Sequence, residues 1–142
     1  MVRSLKTFSR TGIITEIIGI VGTNASKKVE ALIDTGAEGN YISERSSNQF
    51  ENIGMSGLHE TYVSIAGSRE KELKTVFIFK GIKMLNSMLS EPEFIILDGI
   101  DYDAIIGVEV LQIMGLSIDM RADRRETCMF HEGLISLYFQ IL

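Results

Sequence analysis

One short string in the sequence combines residue types that can perform acid–base chemistry: Asp34, Thr35 and Gly36. Three apolar residues precede the aspartate, which predicts a carboxyl group at the end of a buried strand, where it requires a polar partner. The threonine hydroxyl can hydrogen-bond to backbone across a tight turn, and the glycine allows another backbone or a ligand to approach closely. The string therefore predicts either a reactive carboxyl group or an aspartate that caps a turn.

The elements that must position this string are mostly predicted strands. Apolar, β-rich runs occur at near-regular spacing between turn clusters, which favours an all-β closed barrel or sandwich over a βαβ fold. Residues 61–79 predict a hairpin with an exposed tip, and apolar residues at 108, 110, 111 and 114 predict one short helix that ends at Gly115. A less regular pattern near residues 43–48 allows a second short helix. The predicted strands fall at 12–21, 29–33, 61–65, 73–79, 93–97, 102–106, 116–120, 126–130 and 134–142.

Length and composition favour a single globular domain. The chain has 142 residues, of which 45% are hydrophobic and 23% charged, which is sufficient for one domain with its own core. The net charge of −5 comes without a basic stripe, which argues against nucleic-acid binding. The longest apolar run near the N-terminus, residues 17–21, is too short for a membrane span or a signal peptide, so we expect no membrane association and a cytoplasmic location. His59 and His131 lack further ligands at metal-binding spacing, and the single cysteine, Cys128, is predicted to be a small core residue.

Three features follow one another in an order that resembles a known protein family. The first feature is the aspartate string, which continues through Ala37 and Glu38 to an apolar–serine pair at 42–43. The second is the predicted hairpin. The third is a turn at Gly107, which follows two isoleucines and leads into the predicted helix. This order resembles the retropepsin-like aspartic proteases, most closely in pattern the protease domains of gypsy-like LTR retrotransposons and of plant pararetroviruses. The resemblance covers roughly residues 12–130.

The resemblance implies a fold, a reaction and a set of site residues. The fold is an all-β, closed-barrel retropepsin-like domain with one short helix and a flap hairpin, spanning 1–142 with its core at about 12–130. Members of the family hydrolyse peptide bonds with two aspartates that share a proton and activate a water molecule, without a metal or other cofactor. The implied catalytic residues are Asp34, Thr35 and Gly36, and the implied substrate-binding residues are Ala37, Glu38, Ile65, Ala66, Gly67, Ile105 and Ile106.

The sequence carries the Asp-Thr-Gly string once, although the implied chemistry needs two carboxyl groups. We therefore expect a two-fold symmetric homodimer in which Asp34 and its symmetry mate face each other. The resemblance implies that the substrate is a viral or retrotransposon polyprotein, including the junction that releases the protease, in the host cytosol or in virus-like particles. Neither nucleic acid nor a membrane is an expected partner.

Departures from the family pattern keep alternatives open. Retroviral members often carry arginine where this chain has Val108, and the predicted hairpin tip has a single glycine, Gly67, followed by charged residues 69–72. The first alternative is a catalytically weak or inactive peptide-binding or dimerisation module of the same fold. The second is a monomeric β scaffold in which Asp34 caps a turn. The apolar tail at 131–142 is either part of an interface or the continuation of a polyprotein.

Overall fold

Short strands joined by tight turns make up most of the chain, as its alternating apolar pattern predicts. The structure is a computed structural model that describes residues 4–5, 14–64, 69–119 and 128–131. Within these residues, two short α-helices and a 3-10 turn interrupt the strands. The strands are β1 Ser4–Leu5, β2 Ile14–Val21, β3 Ser26–Ile33, β4 Asn40–Ser43, β5 Gly57–Ser64, β6 Lys71–Ile78, β7 Gly81–Met84, β8 Ser87–Ser90, β9 Glu93–Leu97, β10 Ala104–Ile106, β11 Leu116–Asp119 and β12 Cys128–His131; the 3-10 turn is Glu44–Ser46, and the helices are α1 Ser47–Ile53 and α2 Val108–Ile113.

Nine of the described strands form one curled sheet in the order β5-β6-β9-β4-β10-β3-β2-β7-β8, and the other three form a small sheet in the order β1-β12-β11. Strand β10 lies between β3 and β4, parallel to β3 and antiparallel to β4. The register places Ile106 beside Ile33 and Ile105 beside Tyr41. Since β10 pairs with both β3 and β4, the connection between these two strands crosses the end of β10.

The hydrophobic core is built from the inward-facing side chains of the large sheet together with the buried faces of α1 and α2. Along β2 the buried Ile18 and Ile20 alternate with exposed or half-buried neighbours, because successive side chains of a strand point to opposite faces. Phe79, just after β6, packs against Phe50 of α1 and Phe94 of β9, with ring centroids 6.0 and 5.7 Å apart. Burying each of these rings contributes about 1.5–3 kcal/mol of transfer free energy. The aromatic cluster therefore joins α1 to the half of the sheet that carries the hairpin.

The all-β prediction is confirmed, with differences at short segments. The hairpin predicted at 61–79 is present as β5 and β6, and it extends further at its base. The helix predicted at 108–114 is α2, while the less regular pattern near 43–48 forms the 3-10 turn followed by α1. The sequence pattern does not predict β1, β4, β7 and β8, which have two to four residues each and do not lie in a longer apolar run. The equally short β10, β11 and β12 overlap longer predicted runs.

Some expectations concern residues outside the described part of the chain. These are the hairpin tip with Ile65, Ala66 and Gly67, and the final strand expected at 134–142. Among the residues that the structure describes, no helix is long and apolar enough to cross a membrane.

Candidate functional site

The Asp34 loop, residues 34–39, connects β3 to β4 at the end of β10. Two hydrogen bonds close its first turn: the Gly36 N–H donates to Asp34 Oδ1 at 2.9 Å, and the Ala37 N–H donates to the Asp34 carbonyl at 3.2 Å. The Asp34 N–H donates in turn to the Ile106 carbonyl at 2.9 Å. Because Asp34 is half-buried, its carboxyl group is oriented by the surrounding backbone and is still accessible from solvent.

The Gly107 turn, residues 106–108, lies directly against the Asp34 loop. A Cβ atom at Gly107 would stand 2.2 Å from the Gly39 carbonyl oxygen and 2.6 Å from that of Ala37, so only a glycine allows this approach. The Val108 N–H donates to the Ala37 carbonyl at 2.7 Å. Close contacts between backbone atoms therefore set the shape of the loop.

Asn40, the first residue of β4, links the end of the loop to two neighbouring segments. The residue is buried, with 7% of its surface exposed. Its Oδ1 accepts a hydrogen bond from the Gly107 N–H at 3.1 Å, and its Nδ2 donates to the Glu93 carbonyl at 3.2 Å. Sequence reasoning missed this residue, since a polar side chain at the start of a short strand is not in itself a signal of function.

A groove of about 740 Å³ lies between the end of the Asp34 loop and the β5–β6 hairpin. Glu38 and Gly39 line it on the loop side, and residues 59 and 61–64 of β5 line it on the hairpin side. Helix α2 contributes Ile113, which is 67% exposed. An open groove of this size can hold an extended peptide, and its charge favours basic side chains. The wall contains four acidic residues, Glu38, Glu91, Glu93 and Glu109, and two basic ones, Lys71 and His59.

Tyr41, which also lines the groove, lies close to two carboxylates of the loop. Partial burial raises the pKa of its phenol above the usual 10.0, and the negative charges of Glu38 and Asp34 raise it further. The Tyr41 hydroxyl therefore stays protonated at neutral pH and can donate a hydrogen bond to a ligand in the groove.

An exposed ion pair spans the base of the hairpin. His59 Nε2 on β5 lies 3.0 Å from Glu93 Oε1 on β9, with side chains 44% and 59% exposed. The hydrogen bond to Glu93 raises the pKa of His59 above its usual 6.5, and a hydrogen bond to the Glu60 carbonyl acts in the same direction. Because β6 lies between β5 and β9, this pair reaches across one strand.

The structure places the predicted loop residues together and gives them different surroundings. Thr35 and Gly36 are exposed at the end of the loop, and Ala37 is half-buried. Glu38 is exposed and faces the groove. Within the described residues, no group of three or more His, Cys, Asp or Glu side chains is arranged to hold a metal ion.

The two predicted residues of β10 differ from each other. Ile105 is half-buried, whereas Ile106 is fully buried in the hydrophobic core. Successive residues of a strand point to opposite faces, and the Ile106 side chain points inward. Its carbonyl, and not its side chain, reaches the Asp34 loop. The substrate-binding role expected of Ile105 and Ile106 stays a prediction.

Solved structures share this architecture. A retropepsin-like aspartic protease from Rickettsia conorii aligns with a TM-score of 0.60 at 13% identity, over 92% of this chain and 97% of that one. The EIAV protease, in complex with an inhibitor, aligns with a TM-score of 0.56 at 19% identity, over 72% of this chain and 88% of that one. No protein-family model and no curated protein sequence matches the chain. The chain has the retropepsin-like fold, as its sequence predicts, while the narrower likeness to retrotransposon and pararetrovirus proteases stays a prediction.

Proposed function

We propose that this chain is one half of a homodimeric aspartic endopeptidase, with Asp34 as its catalytic carboxyl group. The observation that carries the proposal is the Asp34 loop: an Asp-Thr-Gly string at the end of β3, seated on the Gly107 turn within a retropepsin-like fold. The fold alone leaves activity open, since one fold hosts many functions. The oriented, half-buried carboxyl group belongs to a loop whose last two residues, Glu38 and Gly39, line a groove that fits a peptide, and this arrangement supports catalysis.

The proposal needs a second copy of the chain, because one copy supplies one carboxyl group. Thr35 and Gly36 are exposed, so they are available to meet the same residues of a symmetry mate. In the small sheet, β1 and β11 have no further partner strand among the described residues, which leaves edges that another chain can pair with. A two-fold axis beside the loop brings the two Asp34 residues together.

In the proposed dimer the two Asp34 carboxyl groups share one proton, because like charges a few ångströms apart cannot both ionise. The ionised carboxylate takes a proton from a water molecule, which attacks the carbonyl carbon of the scissile peptide bond. The protonated carboxyl group donates its hydrogen to the developing oxyanion. Transfer of a proton to the peptide nitrogen then releases the amine. The β5–β6 hairpin covers the substrate and excludes bulk water, while the single attacking water molecule stays between the carboxyl groups and the scissile bond.

The proposed substrate is an extended segment of a viral or retrotransposon polyprotein, including the junction that releases the protease itself. An extended segment presents its side chains alternately to the two walls of a groove. The four glutamates of the groove wall favour segments with basic side chains near the scissile bond.

Digestion of a complex pool of natural peptides, read by mass spectrometry, tests the proposal. The variant Asp34→Asn keeps the side-chain shape but cannot accept or share a proton, and Asp98→Asn makes the same change at an exposed carboxylate. We expect wild type and Asp98→Asn to cleave, with enrichment of Lys and Arg near the cut sites. We expect the cleavage rate of Asp34→Asn to fall about a thousandfold. Cleavage by Asp34→Asn at the wild-type rate contradicts the proposal.

The shared site is tested by mixing chains in the same assay. Excess Asp34→Asn chains should lower the activity of a fixed amount of wild type, because mixed dimers hold a single aspartate, whereas excess Asp98→Asn chains should not. Solution mass measured alongside distinguishes the alternatives. A dimer that binds peptides without cutting them supports the inactive binding module, and a monomer supports a plain β scaffold.

A further inference from the structure

Asn40 is a buried polar residue whose carboxamide is used at both ends. Its Oδ1 accepts the Gly107 N–H at 3.1 Å, and its Nδ2 donates to the Glu93 carbonyl at 3.2 Å. A carboxamide supplies a donor and an acceptor on one rigid plane, so both partners are satisfied away from water. The side chain therefore connects three segments: β4, the Gly107 turn and β9.

The Gly107 N–H needs this acceptor. Gly107 is buried, and the carbonyl oxygens of Ala37, Glu38 and Gly39 would lie 2.6, 2.9 and 2.2 Å from a Cβ at this position. Because the residue is buried, its N–H would carry a desolvation penalty without an acceptor. The oxygen of Asn40 removes this penalty while the turn stays in contact with the loop.

We propose that Asn40 is a positioning residue of the active site, whose carboxamide fixes the Gly107 turn against the Asp34 loop and thereby orients the Asp34 carboxyl group. This inference rests on the proposed protease function. The connection is short: the Ile106 carbonyl, one residue before Gly107, accepts the Asp34 N–H at 2.9 Å. A shift of the turn moves a hydrogen-bond partner of Asp34 directly.

The second end of the carboxamide reaches the groove. Glu93, whose carbonyl accepts the Asn40 Nδ2, belongs to β9 and also lines the groove with its side chain. Asn40 therefore holds the substrate-binding wall and the catalytic loop in one fixed relation. Catalysis requires the reacting groups to be aligned within a fraction of an ångström. A side chain that adds hydrogen bonds to both segments, beside their backbone pairing, therefore has direct consequences for the reaction rate.

Two substitutions at Asn40 test this role against matched changes at Asn48, an exposed residue of α1. The variant Asn40→Leu keeps the approximate volume and loses both hydrogen bonds. We expect its kcat, per folded molecule as counted by circular dichroism, to fall about 100-fold with a much smaller change in KM, because the reacting groups lose alignment. The variants Asn48→Leu and Asn48→Asp should keep wild-type kcat.

The variant Asn40→Asp adds a readout that a merely structural role does not produce. A protonated aspartate can still accept from Gly107 and donate to the Glu93 carbonyl, whereas the ionised form places a buried negative charge against that carbonyl. We expect the ratio of its kcat to that of wild type to approach one at acid pH and to fall as the pH rises. For Asn40→Leu the same ratio should be low and independent of pH. The neighbouring ionisable groups Glu38, Tyr41 and Glu93 are present in all three proteins, so the ratio removes their contribution.

Hydrogen exchange of the Gly107 amide separates failure of this inference from failure of the proposed function. We expect this amide to exchange at least tenfold faster in Asn40→Leu than in wild type. The positioning role is overturned if the Gly107 amide exchanges as fast in wild type as in Asn40→Leu. It is also overturned if Asn40→Leu keeps the wild-type kcat. An inactive wild type overturns the proposed function and with it the catalytic meaning of Asn40, while slow exchange at Gly107 would still show that Asn40 holds the turn.

Discussion

The Asp34 loop and the β5–β6 hairpin lie on opposite sides of the groove and are held in different ways. The loop is flanked by β3, β4 and β10 in the middle of the large sheet, where Ile33, Ile42 and Ile106 are buried. Strand β5 is at an edge of that sheet and has no buried residue, and β6 buries only Val76 and Phe77 near its end. We call the Asp34 loop with the adjoining strands β3, β4 and β10 the floor of the site, and the β5–β6 hairpin its arm. The floor is anchored in the hydrophobic core, whereas the arm is attached to the rest of the sheet mainly at its base.

This difference in burial has consequences for motion. Segments with few buried apolar contacts open locally at a much lower free energy than segments in the core. For the proposed protease, a hairpin that opens easily would let an extended peptide enter the groove, and a loop that does not open would keep the carboxyl group oriented during the reaction. The following substitutions test whether the two regions differ as much as their burial indicates.

The largest effect is expected at the floor, from Gly107→Ala. The new Cβ would lie 2.2 Å from the Gly39 carbonyl oxygen, and the loop must move to admit it. We expect the free energy of unfolding to fall by about 4 kcal/mol or more, with loss of peptide cleavage. The matched control is Gly19→Ala, where the nearest atom to the new Cβ is the Lys83 Cβ at 3.5 Å, an ordinary contact. Denaturant unfolding of both variants measures the difference, and equal stabilities contradict the close packing of the floor.

A smaller effect is expected from removing apolar side chains of equal size in the two regions. Ile106→Ala removes a fully buried side chain of β10 and should cost about 3 kcal/mol of unfolding free energy. Leu73→Ala removes a side chain of β6 that is 50% exposed, and it should change that free energy by less than about 0.5 kcal/mol. Thermal unfolding of Ile106→Ala, Leu73→Ala and wild type at one pH measures the two losses of stability. A cost at Leu73 as large as that at Ile106 would mean that the hairpin is anchored along its length.

The floor and the arm also differ in how far sequence reasoning reaches. The Asp34-Thr35-Gly36 string follows an apolar strand and is a local signal, and alternation over 61–79 is enough to predict the hairpin. The support of the loop is not local: Asn40 is 67 residues from Gly107 and 53 from Glu93. No period or turn signal in a single sequence connects residues so far apart.

The difference in burial between Ile105 and Ile106 also lies beyond sequence reasoning, for another physical reason. Ile105 and Ile106 have the same side chain and stand next to each other, and the sequence predicts that both lie in a strand. Which of them faces the core depends on the register of β10 between β3 and β4, and a shift of one residue exchanges the two faces. The register follows from pairing with two strands that are distant in sequence, so the composition of the segment alone does not determine it.

The smallest effect is expected at the ion pair that spans the base of the arm, from His59→Gln. The pKa of His59 is raised in the folded protein by Glu93, so the folded state holds the proton more tightly than the unfolded state. The stabilisation is therefore fully present below the unfolded value of about 6.5 and is lost as the pH rises through the folded pKa. We expect wild type to be slightly more stable than His59→Gln at pH 5.5, and the two to be equal at pH 8.5. Denaturant unfolding at both values measures this.

A double-mutant cycle with Glu93→Gln decides whether this pH dependence comes from the pair. In the Glu93→Gln background, the effect of His59→Gln on stability should depend much less on pH, because the main cause of the raised His59 pKa is gone and only the Glu60 carbonyl still acts in that direction. Hydrogen exchange then assigns the effect to a region. Loss of the pair should speed exchange of the β5 amides and leave the Asp34 and Val108 amides unchanged, since those donate to backbone carbonyls of the floor. If exchange at Asp34 rises together with that of β5, the floor and the arm open as one unit, and the difference in burial between them does not produce a difference in local stability.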